Sequence, residues 1–186
     1  MTTFLETERL VLRRFTESDA DHLVALDGDP DVMRYITGGV ATPRAEIVED
    51  HLPAYFAYYE RFAGFGFWVA EDRAGTFLGW FHFRPQPHDP PGHVELGYRF
   101  AKAAWGLGYG TEGSKALIDK GFREFGVERV YAETMVVNTA SRRVMEKAGL
   151  RQVRIFHQDW PYPIEGSEHG DVEYALTRQE WEAAGG

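Results

Sequence analysis

The 186-residue sequence predicts an α/β fold in one domain, residues 1–186, with a mixed central sheet flanked by helices. Short alternating runs rich in β-branched and aromatic residues recur from Arg9 to Thr177. Amphipathic helical patterns lie between the later runs, one behind a glycine-rich turn and one behind an asparagine. No repeat, low-complexity tract or linker divides the chain. With 44% hydrophobic and 15% aromatic residues, a chain of this length can bury a sizeable core.

Arg9–Phe15 alternates Leu10 and Leu12 against Arg9, Val11 and Arg13 and reads as a strand. Thr16-Glu17-Ser18-Asp19 opens a helix carrying His22, Leu23 and Leu26, and Gly28-Asp29-Pro30 stops it. Asp31–Ile36 reads as a second short helix and Thr37-Gly38-Gly39 as a turn. Thr42 as N-cap and Pro43 at the first position open a long helix to about Phe62, which Pro53 should kink or split near His51. The aromatic run Tyr55, Phe56, Tyr58, Tyr59, Phe62, Phe65, Phe67 and Trp68 reads as core or as the face of a homodimer. Gly64–Asp72 and Thr76–Arg84 form a hairpin around Arg73-Ala74-Gly75. Pro85–Gly92, with four prolines, is a loop, and His93–Phe100 is the next strand. In Thr111–Phe125, Leu117, Ile118, Phe122 and Phe125 recur at helical spacing. Arg129–Val137 is strand-like. Asn138 then caps a short helix with Val144, Met145 and Ala148 on one face and Gly149 at C′. Arg151–His157 reads as a strand, Gln158–Gly170 as a long loop and Asp171–Thr177 as the last strand.

The glycine turn, Trp105-Gly106-Leu107-Gly108-Tyr109-Gly110-Thr111-Glu112-Gly113, runs straight into a helix. Its unpaired N–H groups and the positive end of the helix dipole suit an anion, most often a phosphate. A nucleotide P-loop fits poorly, because Ser114-Lys115 inverts the order that motif needs. Gly108-x-Gly110-x-x-Gly113 does match a dinucleotide fingerprint, and Glu133 stands near its expected acidic position. Against a dinucleotide, Ala101–Trp105 separates the first glycine from the preceding strand, and about 50 residues follow Glu133.

With Thr7-Glu8-Arg9-Leu10-Val11-Leu12-Arg13, Glu95-Leu96-Gly97-Tyr98, the glycine turn, and Asn138-x-x-Ser141 through Ala148-Gly149-Leu150 in this order, the chain resembles the GNAT family of N-acetyltransferases. It looks closest to the branch containing the ribosomal-protein N-terminal acetyltransferases. The resemblance spans roughly residues 7–177. It implies a mostly antiparallel sheet and acetyl-CoA as co-substrate. By that resemblance Leu107, Gly108, Tyr109, Gly110 and Thr111 hold the pyrophosphate. The pantetheine arm lies along the strand ending at Phe100, within reach of Asn138. Lys102, Arg142 and Arg143 are candidates for the CoA phosphates. Trp105 stands where the family usually has Gln or Arg, as the ribosomal-protein branch tolerates.

The implied reaction is direct attack by a primary amine in a ternary complex. The amine must be neutral, the oxyanion stabilised and the departing thiolate protonated. A backbone N–H of the Glu95–Phe100 strand serves the oxyanion by resemblance. Glu95 is the candidate base, acting through water. Many members place a tyrosine acid on the Asn-capped helix, but Met145 occupies that position and cannot donate. Ser141 is the substitute candidate acid. The acceptor is a protein N-terminus or a small-molecule amine, and Trp80, His82, His157, Asp159, Trp160, His169 and Tyr174 are candidates to line its site. A non-enzymatic CoA-binding module and a dinucleotide-binding oxidoreductase remain as alternatives.

The absence of cysteine excludes disulfides, thiolate metal sites and a cysteine nucleophile. No histidine pair or carboxylate cluster suggests a metal. A net charge of −9 argues against general nucleic-acid binding and favours a cationic partner. No apolar run approaches the roughly 20 residues that span a bilayer, and the N-terminus does not read as a signal peptide. No membrane association is expected, and the expected location is the cytoplasm.

Overall fold

The computed structural model describes residues 2–186. Strand β1 (Thr3–Glu6) turns through Thr7–Arg9 into β2 (Leu10–Arg14). A 3-10 turn at Glu17–Asp19 then leads into α1 (Ala20–Asp27). The Asp29 carboxylate accepts from the Asp31 N–H and starts α2 (Pro30–Met33), shorter than the sequence pattern suggests.

The long helix departs from expectation at Pro43 and breaks near His51, ahead of Pro53, as expected. It begins as α3 (Arg44–Glu46), with Pro43 at the cap rather than at the first helical position. Thr42 lies outside, its N–H drawn 3.4 Å from the Asp27 carbonyl, while the Pro43 carbonyl accepts from Ile47 N–H at 3.2 Å. Ahead of Pro53 the chain takes a π turn, Ile47–His51, and continues as α4 (Leu52–Arg61). Proline has no N–H to close an α-helical bond, and the widened turn accommodates its ring.

Strands β3 (Gly66–Asp72) and β4 (Phe77–Arg84) form the expected hairpin, followed by β5 (His93–Phe100). Helix α5 (Tyr109–Glu124), β6 (Arg129–Met135), α6 (Thr139–Lys147), β7 (Arg151–Phe156) and β8 (Asp171–Thr177) complete the alternation. The sequence reading missed β1 and a terminal helix, α7 (Arg178–Ala183). A reciprocal Thr177–Glu180 capping box starts α7, and Thr177-x-x-Glu180 is a signal readable in the sequence.

The sheet order is β1-β2-β3-β4-β5-β6-β8-β7. Every pairing is antiparallel except β5 with β6. Alternation gives the sheet two apolar faces. One packs Phe67, Val69 and Trp80 against Leu23, Leu26, Ile47 and Tyr55 of the N-terminal helices. The other packs Trp68, Phe81, Phe83 and Leu96 against Leu117, Ile118 and Phe122 of α5. Helix α5 comes so close that a Cβ at Gly113 would lie 2.3 Å from the Phe81 ring. Of the aromatic run, Tyr55, Phe67 and Trp68 are buried and none of the eight is exposed, so it is core. No described helix is long and apolar enough to cross a membrane.

One charged cluster is sealed inside this frame. Arg13, 5% exposed, donates to both Asp19 oxygens at 2.9 and 2.8 Å and to Glu71 at 2.8 and 2.6 Å. Burial opposes the charge on Asp19, yet hydrogen bonds from Arg13 and Thr16 hold its carboxyl below the ordinary range. A depressed native pKa stabilises the fold above the unfolded value of about 3.9 and loses that contribution as pH falls through the native one. Asp19→Asn is therefore expected to cost about 3 kcal/mol at neutral pH. The gap from wild type should narrow below about pH 4 in denaturant titrations.

Candidate active site

Strands β5 and β6 pair in parallel at only three positions, His93–Arg129, Val94–Val130 and Glu95–Tyr131. Beyond them β5 runs on to Phe100 beside β4, and β6 to Met135 beside β8. The sheet is therefore split at its centre, and the β5 edge past Glu95 has no strand partner on the β6 side. The N-termini of α5 and α6 follow the ends of these two strands.

The turn into α5 leaves backbone donors uncapped. Gly108 is the N-cap with φ +83°, a left-handed conformation that favours glycine, and no side chain caps the helix. The first intrahelical donor is Glu112 N–H, to Gly108 at 3.0 Å. The N–H groups of Tyr109, Gly110 and Thr111 are left without an intrahelical acceptor at the positive end of a 16-residue helix. This donor set fits a pyrophosphate. Gly110 is already helical, and a Cβ there would make ordinary contact with Val144 at 3.5 Å, so the turn does not require its conformational freedom. Trp105 donates its indole N–H to the Phe100 carbonyl at 2.9 Å and fixes the start of the turn. That bond engages the Phe100 carbonyl.

Glu95 and Tyr98 are three apart on β5, so they face opposite sides of the sheet. Glu95 faces the N-terminal helices. It accepts from Gln86 Nε2 at 2.6 Å, with His82 Nε2 at 3.4 Å and Arg84 at 3.5 Å. Burial works against its charge, but His82, Arg84 and Gln86 together hold the carboxyl below the ordinary glutamate range. Burial also pushes His82 below its usual value, against the pull of Glu95, so the imidazole is neutral at pH 7. Two of the expected acceptor residues, Trp80 and His82, thus lie on the Glu95 face, but Trp80 is buried beneath Arg99 rather than free to meet a ligand.

Ser141 lies with Tyr98 on the opposite face. The Tyr98 hydroxyl donates to the Ser141 carbonyl at 2.9 Å and stands 3.0 Å from its Oγ. Burial raises the Tyr98 phenol well above its ordinary value, so it keeps its proton. Sequence reasoning missed this contact of Tyr98 with Ser141, although Tyr98 closes the Glu95–Tyr98 motif. Asn138 caps α6 through Ser141 N–H at 3.3 Å and donates to Thr134 at 3.1 Å.

The remaining candidates separate. Tyr174 is buried on the α6 side, where it accepts from Arg142 and donates to Glu146, so it does not line the acceptor side. Arg142 also holds the Val136 carbonyl and Gln152, and Lys102 pairs with Asp31, so neither is a free phosphate ligand. Arg143 is exposed on α6. Asp159 and Trp160 line an open cavity of about 430 Å³ in the β7–β8 loop. His157 reaches back to the Glu168 carbonyl, and His169 is exposed on a 3-10 turn of the same loop. The loop meets the N-terminal helices where Glu165 pairs with Arg34 at 3.2 Å. No described cluster of His, Asp and Glu is arranged for a metal ion.

Residues 9–151 match the family model described as an acetyltransferase (GNAT) domain. The chain is 34% identical over 183 residues to the FsC-acetyl coenzyme A-N(2)-transacetylase of Aspergillus fumigatus, covering 95% of this chain and 77% of that protein. A Bacillus anthracis structure described as an acetyltransferase of the GNAT family superposes with a TM-score of 0.76 and 26% identity, covering 95% and 99% of the two chains. A ribosomal L7/L12 α-N-protein acetyltransferase in complex with coenzyme A shares the fold, with a TM-score of 0.77 and 18% identity, covering 96% and 99%.

The two glycines of the turn should answer differently to a methyl group. Gly108→Ala is expected to destabilise by about 1–2 kcal/mol through its left-handed backbone. Gly110→Ala should be neutral or stabilise by up to about 1 kcal/mol, because it sits in helix with room for a Cβ. Urea denaturation of the two variants checks the difference.

Proposed function

The chain belongs to the GNAT acetyltransferase domain family, and from that premise we propose that it moves the acetyl group of acetyl-CoA to a primary amine by direct attack in a ternary complex. It is an acetyl-CoA-dependent enzyme, and the dinucleotide and purely CoA-binding readings fall away with the family match. The observation that carries the site assignment is the uncapped N-terminus of α5 beside the unpartnered edge of β5.

When bound, acetyl-CoA supplies an activated acyl group and a thiolate that can leave. The backbone of Leu107–Thr111 receives the pyrophosphate. The β5 edge toward Phe100 pairs with the pantetheine arm as an added strand would, and Asn138 keeps one amide hydrogen for it. A backbone N–H of β5 faces the developing oxyanion. Glu95, on the face of the N-terminal helices, attracts the ammonium and accepts its proton through water. Ser141, with Tyr98 hydrogen-bonded behind it, gives a proton to the departing sulfur on the other face. Acceptor and cofactor sulfur thus approach a single strand from opposite sides, and no covalent enzyme intermediate is needed.

Thiol release from acetyl-CoA, measured against a panel of N-terminal peptides, polyamines and other small amines, tests this reading. Turnover with no amine in so broad a panel would count against it. Glu95→Gln should lower kcat about a hundredfold, and Ser141→Ala and Tyr98→Phe about tenfold each. An unchanged kcat in any of these variants removes that residue from the mechanism.

The pH profile is a separate check. Glu95 is held low, so it is already a carboxylate above the ordinary glutamate range, and His82 is already neutral at pH 7. Neither group should titrate between pH 7 and 9. The rate should rise with pH as the acceptor amine loses its proton, and the inflection should move when an acceptor of different pKa is used. An inflection that stays fixed across acceptors would contradict the assignment.

A further inference from the structure

The Thr7-Glu8-Arg9 motif lies far in sequence from the glycine turn and is given no task by the mechanism above. In space it is strapped to that turn. Thr7 donates its hydroxyl to Glu112 Oε1 at 2.6 Å, and Arg9 N–H donates to the same oxygen at 2.9 Å. The Arg9 guanidinium holds Glu112 Oε2 through both Nε and Nη2 at 2.6 Å. Its Nη1 donates to the Leu107 carbonyl at 2.7 Å, and its plane lies 4.6 Å from the Tyr109 ring centre. A Cβ on Gly108 would stand 3.3 Å from Nη2. From behind, Arg73 on the β3–β4 turn binds Glu6 at 2.7 Å and the Thr7 carbonyl, so the strap is itself anchored.

Resting on the acetyl-CoA reading, we propose that Arg9 is a positioning residue for the pyrophosphate of CoA. It acts in two ways. First, a trans peptide points its C=O and N–H in opposite directions. By holding the Leu107 carbonyl, Arg9 fixes which way the Gly108 N–H faces and bars the flip that would turn a carbonyl toward the anion. Second, Glu112 places a carboxylate in the first turns of the very helix that must receive a phosphate. An unpaired charge there would repel the ligand, and the Arg9 fork cancels it.

The test is CoA binding by calorimetry, which needs no acceptor amine, compared with pantetheine, which ends before the pyrophosphate. Arg9→Ala should weaken CoA about tenfold to a hundredfold and leave pantetheine unchanged. Arg9→Lys keeps the charge but cannot hold Glu112 and Leu107 together, so it should lose most of the same affinity while remaining folded. Adding Glu112→Gln to Arg9→Ala removes the exposed carboxylate and should recover part of the loss. In steady state, KM for acetyl-CoA should rise with little change in kcat. Equal weakening of CoA and pantetheine would mean a general structural role and overturn the proposal, as would unchanged CoA affinity in Arg9→Lys and Arg9→Ala. Failure of the wild-type protein to bind CoA would overturn the acetyl-CoA reading and this proposal with it. Binding by wild type that the variants do not alter would overturn this proposal alone.

Discussion

The structure depends on one interrupted pairing. Two parallel strands at the centre of an eight-stranded sheet hold together for three residues and then part. A parallel pair needs a crossover between its strands, and here that crossover is the glycine turn with α5. Helix α6, the element after β6, then supplies a second N-terminus on the same side of the sheet. The split therefore does more than expose an unpaired strand edge. It brings two helix N-termini to the same end of the opening, that of α5 with its first N–H groups free and that of α6 capped by Asn138. An unbroken sheet would bury that edge and leave no place for an extended ligand.

Strand periodicity does the next step. With Glu95 and Tyr98 three residues apart, a single strand presents a carboxylate to one side and a phenol to the other. The two environments then diverge. Glu95 is surrounded by His82, Arg84 and Gln86 and stays charged, while Tyr98 is enclosed against α6 and stays neutral. The sheet itself keeps the carboxylate and the phenol apart. The sealed Arg13–Asp19–Glu71 cluster ties β2, β3 and the entry to α1 together on the face of the N-terminal helices.

How much of this was legible in the sequence follows from the range of the interaction concerned. Local signals read well: β5 and β8 fall where alternation places them, and Asn138 and Gly149 bound α6 as their chemistry requires. Pro53 announced a break, but only packing decides between a kink and a π turn. Strand β1 has four residues and no alternation to detect, and α7 was overlooked despite its Thr177–Glu180 box. Within the site, resemblance and glycine spacing named the turn. They could not foresee that Tyr98 meets Ser141 or that Tyr174 turns away into the core, because both depend on which face of the sheet a strand presents to which helix. Lys102 and Arg142 looked available for phosphate until Asp31 and Tyr174 appeared beside them.

The engagement of those cations bears on how an acidic protein binds an anionic cofactor. The chain carries a net charge of −9, so long-range electrostatics favour a cationic acceptor over CoA. A basic surface patch large enough to reverse this would also repel the amine. On the proposed assignment the attraction for phosphate is confined to one turn, where backbone N–H groups and a helix dipole act over a few ångströms and need no net positive charge. The same logic explains the Arg9–Glu112 pair. It adds no net charge to the turn, yet its bond to the Leu107 carbonyl holds the turn in shape.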